Sequence, residues 1–312
     1  MIKNIVEYSH MIGFKEMSLK FTEYMPDSNK PNGILHIVHG MTEHMGRYEE
    51  LAEELTKYGI MVVGFDLPGH GLNATSDVAS FGQNGWSSVI TLIRKYNSVY
   101  SKKYNNIPVY MMGFSLGSFL VREYINLFGH SIAGAIVMGT GTQPAIILKM
   151  VSALVKKEAD KIGFDNSSHK IRELSFGQYN KKFAPAKTSF DWLCSDTEEI
   201  KKYEEDKLCI KDISAGLFHD MLTSMERTAN KEQYQYWNRF KDFDILLISG
   251  DNDAVGDNGK GIQKVAAEMK KFVHCEVSMY PGRHDILHEK ANGTSKKVIA
   301  EIRDWLIERT AN

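Results

Sequence analysis

Gly113-Phe114-Ser115-Leu116-Gly117 sets a serine between two glycines, directly after the apolar run 107–112 and before a stretch with helical spacing. A serine at a sharp strand-to-helix turn is a nucleophile elbow. Glycines two before and two after it let the backbone turn tightly and hold the hydroxyl out at the top of a sheet. The chemistry open to such a residue is attack on an acyl carbon. A serine hydroxyl is a weak nucleophile at neutral pH, so it needs a base to take its proton and an acid to orient that base. An ordinary tight turn has the same local pattern, so the partners must be found elsewhere in the chain.

Both partners stand after later strand-like runs. Residues 243–249 lead into Gly250-Asp251-Asn252-Asp253-Ala254-Val255-Gly256, and residues 273–279 into Tyr280-Pro281-Gly282-Arg283-His284-Asp285. The chain order Ser, Asp, His is the one that accompanies a nucleophile elbow, and it differs from the other serine-protease orders. Asp251, Asp253 and Asp257 share one loop, where any of them could be a solvated turn residue; Asp253 is the preferred acid. His284 is preferred over His288 as the base because its loop follows the strand directly. The tetrahedral intermediate also needs hydrogen-bond donors for its oxyanion. The Leu116 N–H is one expected donor, and the loop His39-Gly40-Met41-Thr42-Glu43-His44 offers the Met41 N–H as the second, with Gly40 permitting close backbone approach. His39 and His44 are read as braces of this loop.

Elements that could position these residues alternate along the chain. Strand-like runs at 33–39, 59–65, 108–112 and 133–138 are separated by helix-like runs at 48–58, 86–104 and 116–128, and residues 15–25 alternate like one strand of a hairpin. The rhythm resumes with strands at 243–249 and 273–279 and helices at 259–271 and 295–309. This predicts an α/β fold, a mostly parallel central sheet flanked by helices. Residues 1–142 and 240–312 form its core, and 143–239 an inserted helical cap. Within the cap, Leu217, Phe218, Met221, Leu222 and Met225 recur at helical spacing, as do Ile146, Ile147, Met150, Val151 and Leu154. Such residues either pack the subdomain or line an apolar substrate site; Met221, Met225 and Phe114 are the expected lining residues, since Met adapts to varied shapes.

Bulk composition excludes several other classes. At 312 residues, with 43% hydrophobic and 25% charged residues, the chain suits one soluble body with an insertion. A net charge of -1 gives no electrostatic reason to expect a nucleic-acid partner. Three cysteines, Cys194, Cys209 and Cys275, lack metal-ligand spacing and fit a reducing compartment, with no metal or cofactor expected. The polar N-terminus does not read as a signal peptide, and no run reaches a membrane span, the most apolar stretch being interrupted by Lys149. A cytoplasmic location follows as the expectation, and the apolar cap is compatible with transient contact with a lipid surface. Oligomeric state is not readable.

The motifs also carry a family resemblance. His39, Gly40, Glu43, His44, Arg47 and Tyr48 match a His-Gly-x-x-Glu-His-x-x-Arg-Tyr pattern, and Asp66, Pro68, Gly69, His70 and Gly71 match Asp-x-Pro-Gly-His-Gly. On these residues the chain resembles the monoglyceride lipase and lysophospholipase group of the α/β-hydrolases, which are S33-type serine hydrolases. The resemblance implies the α/β-hydrolase fold, the triad Ser115, Asp253 and His284, oxyanion donors at Met41 and Leu116, and a cap over an acyl-binding channel. It also implies a small-molecule acyl ester as substrate, monoacylglycerol or lysophospholipid. Phe114 and Ser118 stand where the family commonly has His and Gly, Asn73 where it has Ser, and Ala254 where it often has Pro. These departures bear on substrate preference more than on catalysis. Alternatives are a short-chain carboxylesterase, an S33-type peptidase, and a protein that binds a ligand in this fold without turning it over. A zinc reading of His284-Asp285-Ile286-Leu287-His288 is weak because Asp is short for a general base and no third ligand is evident. Gly139-Thr140-Gly141 lacks the third glycine of a dinucleotide loop.

Overall fold

The computed structural model describes residues 1–12, 15–105, 107–240 and 243–310; Gly13, Phe14, Asn106, Lys241, Asp242, Ala311 and Asn312, all assigned above to the core, lie outside the described residues. In chain order the strands are β1 (Ile2–Ile12), β2 (Lys15–Met25), β3 (Gly33–Val38), β4 (Ile60–Phe65), the short β5 (Val78–Ala79), β6 (Val109–Phe114), β7 (Gly134–Met138), the short β8 (Asp212–Ile213), β9 (Asp244–Gly250) and β10 (His274–Tyr280). The helices are α1 (Glu49–Lys57), α2 (Gly85–Lys103), α3 (Leu116–Phe128), α4 (Ala145–Ile162), the short α5 (His169–Arg172) and α6 (Gln178–Asn180), α7 (Thr197–Glu205), α8 (Ala215–Ala229), α9 (Lys260–Met269) and α10 (Thr294–Thr310).

The main sheet has eight strands in the order β1-β2-β4-β3-β6-β7-β9-β10. The pairs from β4 to β10 are parallel, whereas β1–β2 and β2–β4 are antiparallel. Every residue of β3, β4, β6 and β7 is buried, which is why these strands read as nearly unbroken apolar runs. Alternate side chains supply two cores. Ile34, Met61 and Val63 pack with Ile93, Phe119 and Leu120 on one face, and Leu35, Ile37 and Val62 pack with Leu51, Leu55, Ile302 and Leu306 on the other. This is the α/β-hydrolase fold.

Two features depart from the sequence expectations. Strand β1 pairs with β2 along its whole length, yet nearly all of it is exposed or half-buried, so it lacks the apolar pattern of the inner strands. In α4 the stripe facing the protein is Leu148, Ser152, Val155 and Ala159, not the set read from spacing. Ile146, Ile147, Met150 and Leu154 are exposed, Ile146 at 70%. Helical spacing identified an apolar face there, but the inward face is the one carrying small residues that let α4 approach α8.

Strand order reverses around β3, whose neighbours are β4 and β6. The loops leaving the C-terminal ends of β3 and β6 therefore diverge there, opening the crevice where ligands bind in open α/β sheets. The chain between β7 and β9 holds α4 to α8 and is anchored to the core by pairing of β8 with β5.

Candidate active site

Ser115 follows β6 and precedes α3 with φ 50° and ψ −115°. The positive φ sits on the serine itself, not on the flanking glycines, which serve close approach instead. A Cβ on Gly117 would overlap the Val38 carbonyl oxygen, and one on Gly113 the Gly117 carbonyl oxygen. The strained turn is held by Ser115 N–H donating to the Met138 carbonyl at 3.0 Å and by the Ser118 hydroxyl donating to the Ser115 carbonyl at 2.6 Å. Ser118, a departure from the family pattern, thus braces the elbow.

The three residues chosen from the sequence meet. His284 Nε2 lies 2.8 Å from Ser115 Oγ, and His284 Nδ1 lies 2.8 Å from Asp253 Oδ1. Asp253 is wholly buried and also accepts the Val255 N–H at 2.8 Å. Asp251 instead accepts the Gly282 N–H at 3.1 Å, and Asp257 is paired at 3.8 Å with Lys182. His288 Nδ1 bonds Asp285 Oδ1 at 2.8 Å. The geometry therefore brings Asp253 and His284 to the serine and places their sequence neighbours in other interactions.

On the opposite side of Ser115, the Leu116 N–H opens α3 before the helical ladder begins. Met41 lines the same cavity as Ser115, and its N–H has no partner among the described residues. The loop carrying it is tightly braced. Glu43 accepts the Gly40 N–H at 2.5 Å and the Tyr48 hydroxyl at 2.7 Å, while Arg47 joins Glu43 at 3.0 Å and Asp285 at 2.7 Å. Burial works against the Arg47 cation, but Asp285 and Glu43 outweigh it and raise its pKa further. Burial likewise opposes the Asp285 charge, and His288 and Arg47 overcome it, holding this carboxyl well below the usual range. Arg47 thereby ties the loop after β3 to the residue next to His284.

Phe114, Met221 and Met225 line the cavity over Ser115, together with Phe119 and Phe218. Phe114 lies against the His284 ring, 4.9 Å between centroids. Trp192 covers another part of that ring at 5.2 Å, and Tyr179 lines the cavity beside it. These last two escaped sequence reasoning because they come from an irregular stretch. The aromatic pair in Ser189-Phe190-Asp191-Trp192 carries no helical or strand period that would have marked it.

His44, Asp206 and Cys209 bring ligand atoms within 4.8 Å of one another, but their bonding does not suit a metal. His44 Nδ1 accepts the Gly46 N–H at 3.1 Å, which leaves its proton on Nε2, 2.8 Å from Asp206. Burial pushes the Cys209 thiol up to about 12, and Arg47 and Lys211 supply positive charge nearby.

A family model described as serine aminopeptidase, S33, matches residues 29–291, most of the chain. The chain belongs to this S33 family. Among its relatives, the monoglyceride lipase of Rattus norvegicus is 23% identical over 301 residues, covering 93% of this chain and 88% of that protein. A Monkeypox virus protein named monoglyceride lipase homolog is 22% identical over 297 residues, covering 93% of this S33 member and 94% of the viral protein. A thermostable carboxyl esterase from Bacillus coagulans, solved in complex with glycerol, superposes with a TM-score of 0.88 at 22% identity over 99% of both chains. A monoacylglycerol lipase from Paleococcus ferrophilus gives 0.71 at 21% identity, covering 94% of this chain and all of that one. The structural likenesses establish the fold of this S33 member. Among its described residues no helix is long and apolar enough to cross a membrane.

Proposed function

We propose that this chain hydrolyses carboxylic esters of single-chain acyl lipids, monoacylglycerols or lysophospholipids, through an acyl-enzyme on Ser115. The observation that carries the reading is the continuous hydrogen-bonded line Ser115–His284–Asp253, 2.8 Å at each link, at the floor of an apolar cavity. His284 takes the Ser115 proton as Oγ bonds to the ester carbon, and the Met41 and Leu116 N–H groups receive the charge that develops on the carbonyl oxygen. The C–O bond to the alcohol then breaks, and His284 returns the proton to the departing oxygen. Water, deprotonated by His284, releases the acid and restores Ser115. Asp253 keeps the proton of neutral His284 on Nδ1, leaving Nε2 free to act as base.

Residues 143–239 act as a cap over this site, with Phe218, Met221 and Met225 as walls for the acyl chain. The relatives named as monoglyceride lipases support the substrate class. The lining residues argue against the peptidase alternative, because none is an Asp or Glu able to hold a free ammonium group. The exposed Ile146, Ile147, Met150 and Leu154 of α4 support transient contact with lipid surfaces, and three buried free thiols support a cytoplasmic setting.

An alkyl fluorophosphonate tests the nucleophile. One mass adduct is expected on the protein and none on Ser115→Ala; no adduct on the folded protein would favour a ligand-holding role. An ester series of increasing chain length tests the lipid reading. Each methylene buried in the channel contributes about 0.8 kcal/mol, so kcat/KM rises with length, whereas a flat or falling series would point to a short-chain esterase.

A further inference from the structure

The loop that offers the Met41 N–H turns at a residue unsuited to the turn. Thr42 sits at φ 63°. Among the described residues seven non-glycine residues have positive φ, and five of them are Asn or Asp, which tolerate that region; the others are Ser115 and Thr42, and Thr42 alone is β-branched. For a β-branched side chain this backbone conformation is a true outlier. The turn closes the loop, since Glu43 reaches back to the Gly40 N–H at 2.5 Å, and Met41 is left at the tip, against the cavity. A residue held in so sparse a region persists only where its surroundings fix it.

What fixes Thr42 comes from the cap. Glu199, Ile200 and Tyr203 form the buried face of α7, and the Tyr203 hydroxyl lies 2.7 Å from Thr42 Oγ1 and 3.2 Å from the Thr42 carbonyl oxygen. No other side chain among the described residues bonds Thr42. The Thr42 hydroxyl donates to the Met41 carbonyl at 2.5 Å, so the phenol donates in its turn, and one line of hydrogen bonds runs from α7 to the carbonyl side of Met41. Burial pushes the Tyr203 pKa up and keeps it a donor. Its ring is held too: Phe190 meets it edge-on at 5.1 Å between centroids, and the Arg47 and Lys211 cations lie 5.2 and 4.6 Å from its centre. Asp206, just past the end of α7, bonds His44 at 2.8 Å, so the helix grips the loop at Thr42 and again at His44.

We propose, building on the ester-hydrolase reading above, that Tyr203 is a positioning residue for the oxyanion site, through which the seated cap holds the Met41 N–H toward the reacting carbonyl. Glu43, from the core, fixes the Gly40 end of the loop, and Tyr203, from the cap, fixes the Thr42 end. Without the phenol, Thr42 is free to leave positive φ, and that rotation swings the tip that carries Met41. The oxyanion site is therefore completed by the cap and not by the core alone. Because such a donor strengthens its bond only as charge develops on the carbonyl oxygen, losing its alignment lowers kcat and leaves KM nearly as it was.

The test measures kcat and KM for p-nitrophenyl octanoate, and the rate of fluorophosphonate labelling, in the full chain, Tyr203→Phe, Thr42→Gly and the double variant. Tyr203→Phe keeps the ring and its packing and removes only the hydroxyl. It is expected to lower kcat by about tenfold or more, up to the loss of a whole oxyanion donor, with KM little changed and labelling slowed in parallel. Glycine takes positive φ without strain, so in the Thr42→Gly background, whatever its own kcat, adding Tyr203→Phe should lower kcat by less than about twofold. An unchanged kcat in Tyr203→Phe, an equal loss in both backgrounds, or a lower denaturation midpoint with full activity per folded molecule would overturn the positioning role. If the folded full chain neither hydrolyses the ester nor takes the fluorophosphonate, the ester-hydrolase reading fails instead, and the role of Tyr203 with it.

Discussion

His39 donates through Nδ1 to the carbonyl oxygen of Gly40 at 2.7 Å. The Leu67 N–H bonds Nε2 at 2.8 Å and so fixes this tautomer, and burial lowers the ring to about 3, keeping it neutral. In a trans peptide the C=O and N–H point opposite ways, so holding the Gly40 carbonyl toward His39 turns the Met41 N–H toward the cavity. His39→Ala is expected to lower kcat by about tenfold to a hundredfold, less than or equal to losing one oxyanion donor, with KM little changed. His39→Asn, whose amide N–H can replace Nδ1, should recover part of the loss. Steady-state kinetics of both variants decide this.

Asp253→Asn keeps the shape of the acid but removes its preference for a proton on His284 Nδ1. A fall in kcat of about 10³–10⁴ is expected, with fluorophosphonate labelling slowed in parallel. Labelling at the wild-type rate would mean that Asp253 has no part in activating Ser115.

Ser115 carries a backbone conformation that side chains resist, at φ 50°. Replacing it with glycine should relieve this strain. Ser115→Gly is expected to be more stable than Ser115→Ala by about 1 kcal/mol, although glycine ordinarily destabilises regular structure. Urea titration of the two inactive variants gives the comparison directly.

Arg47 is 9% exposed between two carboxylates that are each 5% exposed. Arg47→Ala would strand Glu43 and Asp285 without their shared cation, a loss of about 3–5 kcal/mol. Arg47→Lys should recover only part of it, because an ammonium cannot bond both carboxylates through one planar fork. Denaturant midpoints of the three proteins would show the order.

His36, His39 and His70 are buried and kept neutral, their pKa values lowered by burial to about 4, 3 and 3. The unfolded chain binds protons at these positions below about pH 6.5, and the folded chain refuses them. Their stabilising effect is therefore complete above pH 6.5 and drains away as the pH falls toward 4, at about 1.4 kcal/mol per pH unit for each histidine. The urea midpoint should drop between pH 7 and pH 5, and His70→Gln should reduce that slope by about a third. A midpoint that stays level over this range would contradict the assignment.

The inner strands and the Ser115–His284–Asp253 set were legible because each has a local signature. Strands buried on both faces show as apolar runs, and strand-end loops show as Gly, Asp and His clusters. Strand β1 was not legible, since an edge ribbon with exposed faces carries no period that separates it from a polar terminus. In α4 the apolar spacing marked a face without telling which neighbour lay against it, and Ile146 and Met150 proved to point outward. Glycine placement likewise located the elbow without showing that Ser115 itself takes the positive φ. The stretch carrying Trp192 is held at the site through hydrogen bonds with residues about 90 positions later, such as the Leu193–Asp285 link, which no local pattern encodes.

Residues 191–195 are joined to the histidine loop at several points: Arg283 to Asp191 and Cys194, Asp285 to Leu193, and Glu289 to Ser195. This part of the roof and the loop carrying His284 thus form one mechanical body. A molecule that forced its way in by lifting residues 191–195 would drag His284 off Ser115 and break the 2.8 Å contact between them. The wall formed by α8, with Phe218, Met221 and Met225, carries no such tie to the histidine loop among these links, so the two walls of the cavity are held to different parts of the chain.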